Sequence, residues 1–207
     1  DAEARLEAGL RRWPTDASLH IQLASLRWLR GLGEQSMALL EQAIVDYPGE
    51  LKLRLVAADL LRRGGFAERA LTILNDGLRA APESAAFLTS VGVVLDGLQK
   101  PAEALAYLRR AVTCAPQSVS ARRNLIVTLL RVGEPAEALA LANELSASAP
   151  EDQQLIAYRA TAFRMLEDPG YRELHDYERL VRIYRLHPPA GYDSIEQFNR
   201  VFANELT

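Results

Sequence analysis

One cysteine, Cys114, occurs among 207 residues. A single thiol cannot close an intramolecular disulfide, so no oxidised framework is implied, and a reducing compartment fits equally well. Histidines are also few: His20, His175 and His187. None begins a His-x-Asp or His-x-Glu, so the two-histidine, one-carboxylate set of non-haem iron is not assembled. His175 and Glu178 could share a helical face, where a surface pairing is the plain reading. The sequence holds no Cys-x-x-Cys, no phosphate-cradling glycine loop and no Gly-x-Ser-x-Gly elbow. Cys114 has no evident activating base and reads as a structural or incidental thiol. These absences lead us to expect a chain that is not an enzyme and carries no cofactor and no metal. No apolar run approaches the roughly 18 residues that cross a bilayer. The N-terminus is a charged amphipathic segment without a signal-peptide core, so a cytoplasmic location is expected. Net charge is −3, which draws the chain globally neither to nucleic acid nor to an anionic membrane.

What the sequence does contain is a period. Pro14, Pro48, Pro82, Pro116 and Pro150 form a series with one constant step. Other positions keep the same interval. Ala2, Ser36, Ala70, Ala104 and Ala138 precede the prolines by twelve and are expected to start a helix. Leu6, Leu40, Leu74, Leu108 and Ala142 form one apolar column, and Gly9, Ala43, Gly77, Ala111 and Leu145 another. Ala24, Ala58 and Gly92 are small where Ile126 is large. Gly31, Gly65 and Gly133 mark turns, with Gln99 the exception. Two antiparallel helices need small side chains where their axes approach and larger ones to fill the grooves. Glycine closes the first helix in the left-handed conformation, and proline cannot continue the second.

A 34-residue helix–turn–helix resembles the tetratricopeptide repeat (TPR), over residues 1–167. The resemblance implies an all-α, right-handed superhelix of antiparallel helix pairs. Four full repeats are expected at 17–50, 51–84, 85–118 and 119–152, with a lone second helix at 1–13 and a final first helix at 153–166. Three features depart from the family pattern: Arg27 stands where a large apolar residue is usual, Ser36 replaces alanine, and no repeat keeps the early tryptophan. A lone second helix also implies that a partner helix precedes it in a longer protein, because a repeat cannot bury its apolar face alone.

The pattern breaks after Glu167 at Asp168-Pro169-Gly170, so residues 168–207 read as a non-repeat cap. Within it, LVRIYRL (180–186) suits a short strand or a helix end. Tyr171, Tyr177 and Tyr184 suit packing of a cap, although aromatics interleaved with arginine can also stack bases. Nucleic acid is not the expected partner. Asp193 and Glu196 resemble a capping box opening a last amphipathic helix. Asp176-Tyr177, Leu180-Val181, Pro188-Pro189, Gly191-Tyr192 and Phe198-Asn199 resemble the junction in bacterial proteins where TPRs precede a 2-oxoglutarate/Fe(II) oxygenase domain. That likeness covers only the run 175–206. It implies a catalytic domain beyond Thr207 and transfers no catalytic residue here.

In the TPR family the first helix of each repeat lines a concave groove. The positions that face ligand there correspond to Trp28, Leu29, Lys52, Asp59, Arg62, Arg63, Thr89, Asp96, Arg123, Arg131, Arg164 and Met165, with Asn124 adjacent. Arginines in successive repeats would suit a protein or peptide partner, an acidic one included; the plain alternative is that they are solvated and paired with Asp59 and its neighbours. The expected function is a binding scaffold. Two alternatives are a recognition arm of a larger oxygenase and a self-association module forming a homo-oligomer.

Overall fold

Each of the five prolines sits in a short turn, and two residues after it a helix is capped. A computed structural model describes residues 2–174, 176, 181 and 187–205. The cap positions Asp16, Glu50, Ser84, Ser118 and Asp152 recur with the same step as the prolines. Asp16 Oδ1 accepts from the backbone N–H groups of Ser18 (2.8 Å) and Leu19 (3.0 Å), and Asp152 Oδ1 from those of Gln154 (3.0 Å) and Leu155 (3.1 Å). Ser118 Oγ accepts from Ala121 N–H at 3.3 Å. These bonds satisfy amide groups that the first helical turn leaves without an internal partner.

The helices that follow are α1 (Ala2–Arg12), α2 (Ala17–Leu29), α3 (Ala38–Asp46), α4 (Leu51–Arg63), α5 (Ala67–Ala80), α6 (Ala85–Gly97), α7 (Pro101–Cys114), α8 (Val119–Val132), α9 (Pro135–Ser146) and α10 (Gln153–Met165). A short α11 (Gly170–Leu174) packs on α10, and α12 spans Ile195–Glu205. No strand occurs among the described residues. The segment 180–186, read as strand or helix end, lies largely outside them, as do Tyr177, Tyr184, His175 and Glu178.

Successive helices pack antiparallel, and the first helices of neighbouring repeats also touch: α2 with α4, α4 with α6, α6 with α8 and α8 with α10. That second set of contacts puts the first helices on the inner side of the stack. One continuous core runs through it, from Ala24 and Leu40 through Leu74 and Leu108 to Leu145 and Leu155.

The turn positions recur more fully than the glycines do. Gly31, Gly65, Gln99, Gly133 and Glu167 all have positive φ, at 79°, 87°, 61°, 84° and 55°. Gln99 therefore makes the same left-handed turn as the glycines, and Glu167 extends the series by one. The geometry of the turn is fixed by the packing of the helices it joins, and a non-glycine residue is strained into it.

Two expectations are corrected. Only Ala2 opens its helix: α5, α7 and α9 begin at Ala67, Pro101 and Pro135, which puts Ala70, Ala104 and Ala138 one turn inside. Ser36 lies in a 3-10 turn, Gly33–Met37, with α3 beginning at Ala38. Gly33 has φ +49°, a second left-handed residue close behind Gly31, so the chain regains α-helical geometry later than in the other repeats. The last helix is capped by Ser194 rather than Asp193. Ser194 Oγ accepts from Gln197 N–H at 3.1 Å, while Gln197 Oε1 accepts from Asp193 N–H at 2.7 Å.

Arg27, the polar residue at an apolar position, is explained by α1. Its guanidinium donates to Glu3 Oε1 at 2.8 Å and Glu7 Oε1 at 2.5 Å, and Arg30 joins Glu3. Hydrogen bonding from Arg27 holds the Glu3 carboxyl below its ordinary pKa against the opposing effect of burial. A carboxylate with a depressed folded pKa stabilises fully above its unfolded value, about 4.3 for glutamate, and that contribution is lost as pH falls through the folded value. Acid titration followed by backbone amide resonances is expected to loosen α1 from α2 below about pH 4, ahead of the α4–α9 core. Simultaneous loss of α1 and α6 would refute it.

Candidate functional site

The inner side carries two neighbouring depressions on either side of α4. The first is apolar, about 270 Å³, and lies between α2 and α4. Its walls are Trp28 and Leu29 from α2, Leu60 and Arg63 from α4, Met37 from the 3-10 turn, and Phe66. Trp28 meets Phe66 edge-on, with centroids 6.1 Å apart at 77°, and lies over Gly64. A Cβ on Gly64 would come within 2.9 Å of the Trp28 ring, so the absence of a side chain there lets the indole lie flat. Leu29 is 84% exposed.

The second depression is polar, about 180 Å³, and is shared by α4, α6 and α8. Asp59, Arg62, Thr89, Ser90, Ser120 and Asn124 converge on it. Asn124 Nδ2 donates to the Ser120 carbonyl at 2.9 Å, which leaves its side-chain oxygen to accept from a ligand.

Most groove arginines already have carboxylate partners. Asp59 bridges Arg62 (2.8 Å) and Arg63 (3.0 Å) on its own helix. Arg131 pairs with Asp96, donates to the Asp96 carbonyl at 3.0 Å, and donates to Gln99 Oε1 at 2.9 Å. Arg123 pairs with Asp152 and donates to Gln154 Oε1 at 2.7 Å. Backbone N–H bonds, from Leu155 above all, and then Arg123 hold the Asp152 carboxyl below its ordinary pKa. Arg131 thus ties its repeat to the one before, and Arg123 ties it to the start of α10 through Asp152 and Gln154. Arg164 and Lys52 are exposed and make no ion pair among the described residues.

Of the residues anticipated from sequence, Asp59, Arg62, Thr89 and Asn124 are brought into one depression, and Trp28, Leu29 and Arg63 into the other. Arg131 is paired with Asp96 of the preceding repeat, and Arg123 with Asp152 and Gln154 at the start of α10. Arg164 lies far along the stack beside Phe163 and Tyr171, and Lys52 sits at the start of α4 away from both depressions. Sequence reasoning missed Phe66, Met37, Asp152 and Gln154. Phe66 was signalled by its place directly after the Gly64-Gly65 turn, and Asp152 by the periodic series of caps.

Elsewhere, His20 is buried, its Nε2 2.8 Å from the Pro14 carbonyl, so that nitrogen carries a proton and pins the first turn. Cys114 is exposed. No group of three or more histidine, cysteine or acidic side chains is gathered for a metal among the described residues, and none of the described helices is long and apolar enough to cross a membrane.

Two family models, each for a tetratricopeptide repeat, match residues 55–119 and 97–160. Among solved structures, a tetratricopeptide repeat protein from Parabacteroides merdae is similar, with a TM-score of 0.65 and 23% identity, over 86% of this chain and 71% of that one. YrrB, a TPR protein with an unusual peptide-binding site, gives 0.60 and 22%, over 83% and 89%. TTC0263, a thermophilic TPR protein of Thermus thermophilus, gives 0.60 and 26%, over 79% and 89%. No curated protein sequence matches.

Proposed function

Since the chain belongs to the tetratricopeptide-repeat family, a family of protein-interaction scaffolds, we propose that it binds an extended segment of a partner protein along its inner groove. The observation that carries the reading is the convergence of Asp59, Arg62, Thr89, Ser90 and Asn124 from three successive first helices. Polar groups presented at repeat spacing suit the regularly spaced N–H and C=O groups of an extended chain. YrrB, whose fold this chain shares, has a peptide-binding site, which supports the same use here. The internal pairing of Arg123 and Arg131 argues for a partner of low net charge over that stretch. A strongly acidic ligand would compete with Asp96 and Asp152 for guanidiniums already engaged.

A photo-crosslinking amino acid placed at Thr89 in the groove, and separately at Asn75 on α5, tests this in the cells that make the protein. A discrete protein adduct is expected from Thr89 and none from Asn75. Adducts from Asn75 alone would move the binding face to the outside of the stack.

A second reading draws on α12. Its Phe198 and Phe202 rings stack at 5.8 Å, Tyr192 meets Phe198 edge-on at 5.1 Å, and Phe202 is half exposed. An aromatic face left open supports attachment of this chain to a further body, as the oxygenase-junction resemblance implies, or to a second copy. A parent reading frame continuing into a β-rich domain with an iron-binding triad would favour the first. Mass rising with concentration would favour the second.

A further inference from the structure

Ser36 occupies the column that holds Ala70, Ala104 and Ala138 in the later repeats. The residue is 3% exposed, its Oγ is closed to solvent and has no hydrogen-bond partner among the described residues, and the residue lines the apolar depression between α2 and α4. A buried hydroxyl left unpaired is destabilising, and alanine at this position would avoid that. The depression otherwise presents the Trp28 and Phe66 rings and the aliphatic Leu29, Met37 and Leu60. At about 270 Å³ it lies just below the usual range of small-molecule pockets, about 300 Å³ upward, and is sized for one large side chain. An apolar, aromatic-lined wall holding an unpaired hydroxyl matches an aromatic side chain with a polar tip.

Charge specifies what lies beside it. Asp59 is one carboxylate shared by two guanidiniums, Arg62 and Arg63, so among the described residues these pairs leave one positive charge over. Arg63 lines the apolar depression, and Arg62 lines the polar one across α4. A helix is about 10 Å across and an extended chain advances about 3.3 Å per residue, so a peptide crossing α4 spans it in roughly three residues.

We infer that the site takes a peptide segment carrying a tyrosine, whose ring lies against Trp28 and Phe66 and whose phenol meets Ser36 Oγ, with a carboxylate roughly three residues away on Arg62 and Arg63. Ser36 Oγ is shielded in its present rotamer; a serine hydroxyl swings between staggered rotamers and both donates and accepts, so a turn about χ1 brings it to a phenol entering the pocket. This rests on the groove reading above and names its ligand class.

The test pans a phage library of random short peptides against the intact chain, then measures a synthetic consensus peptide by Trp28 fluorescence. Trp13→Phe leaves Trp28 as the sole tryptophan. Enriched peptides are expected to share a tyrosine with an aspartate or glutamate roughly three positions away. Trp28→Ala, and Arg62→Ala with Arg63→Ala, are each expected to weaken the peptide about tenfold or more, the first followed by calorimetry because it removes the fluorophore. Ser36→Ala keeps falsifiability if Trp28→Ala perturbs the fold. It is expected to raise the melting temperature yet weaken the tyrosine peptide up to about tenfold, and to leave a phenylalanine version unchanged. Groove-dependent peptides lost on Asn124→Ala but lacking an aromatic residue, or unaffected by Ser36→Ala, would overturn this inference and leave the groove reading standing. No enrichment, or enrichment indifferent to every groove substitution, would overturn both.

Discussion

Phe87→Ala is expected to lower stability by about 3–5 kcal/mol, seen in urea as a large fall in midpoint. The ring is 1% exposed and packs against Gly77 across the boundary between two repeats. A Cβ on Gly77 would come within 2.1 Å of Phe87 Cε1, so the ring occupies the space that glycine leaves open. The repeat supplies its own controls, because the pair recurs at the repeat interval as Gly9 with Leu19, Ala43 with Leu53, Ala111 with Ala121 and Leu145 with Leu155. Gly77→Ala alone forces α5 and α6 apart, costing about 1–3 kcal/mol, partly offset by the better helix propensity of alanine. Gly77→Ala with Phe87→Leu copies the Ala43–Leu53 pair and is expected to recover much of the loss. A double variant no better than the sum of its singles would show that the two positions do not share one packing site.

The second large effect concerns Gly92 and Leu108, which face each other within one repeat. A Cβ on Gly92 would lie 2.5 Å from Leu108 Cγ. One repeat later the sizes are exchanged: Ile126 stands at the glycine position and Ala142 at the leucine position, both fully buried. Gly92→Ile is therefore expected to overpack the α6–α7 contact by about 3 kcal/mol or more, and Leu108→Ala to leave a cavity worth about 2–5 kcal/mol. Together they recreate the Ile126–Ala142 arrangement, and the double variant is expected to be more stable than either single one. Urea midpoints for the four proteins decide it; a double variant less stable than both singles would refute the exchange.

That exchange also shows what could be read from sequence and what could not. The proline series and the small-residue columns announced the period, because helix ends and close helix approach restrict residue type strongly. Ile126 stood out as an exception while Ala142 passed as a member of its apolar column, since a column compares a position with its own repeats and not with the residue facing it. Gln99 looked like a missing turn for a related reason: glycine is the least strained residue for a left-handed turn, but the packing of α6 and α7 imposes the turn on glutamine as well. The groove was half legible. Repeat spacing brought Asp59, Arg62, Thr89 and Asn124 to one face, while the partners of Arg123 and Arg131 lie 29 and 35 residues away, on either side of the period, so no column pairs them with those arginines. Ser36 was visible as a departure, but its lack of a hydrogen-bond partner was not.

The packing of these helices runs between elements one or two places apart along the chain. A stack held in this way has the mechanics of a coil spring. A slight rotation at each junction leaves every local contact nearly as it was, yet the rotations add along the array, so the two ends can travel far for little strain anywhere. A partner lying along the groove could therefore wind or unwind the coil to match its own length, and tension between the two ends would be felt as a change in the pitch at which the groove presents its polar groups.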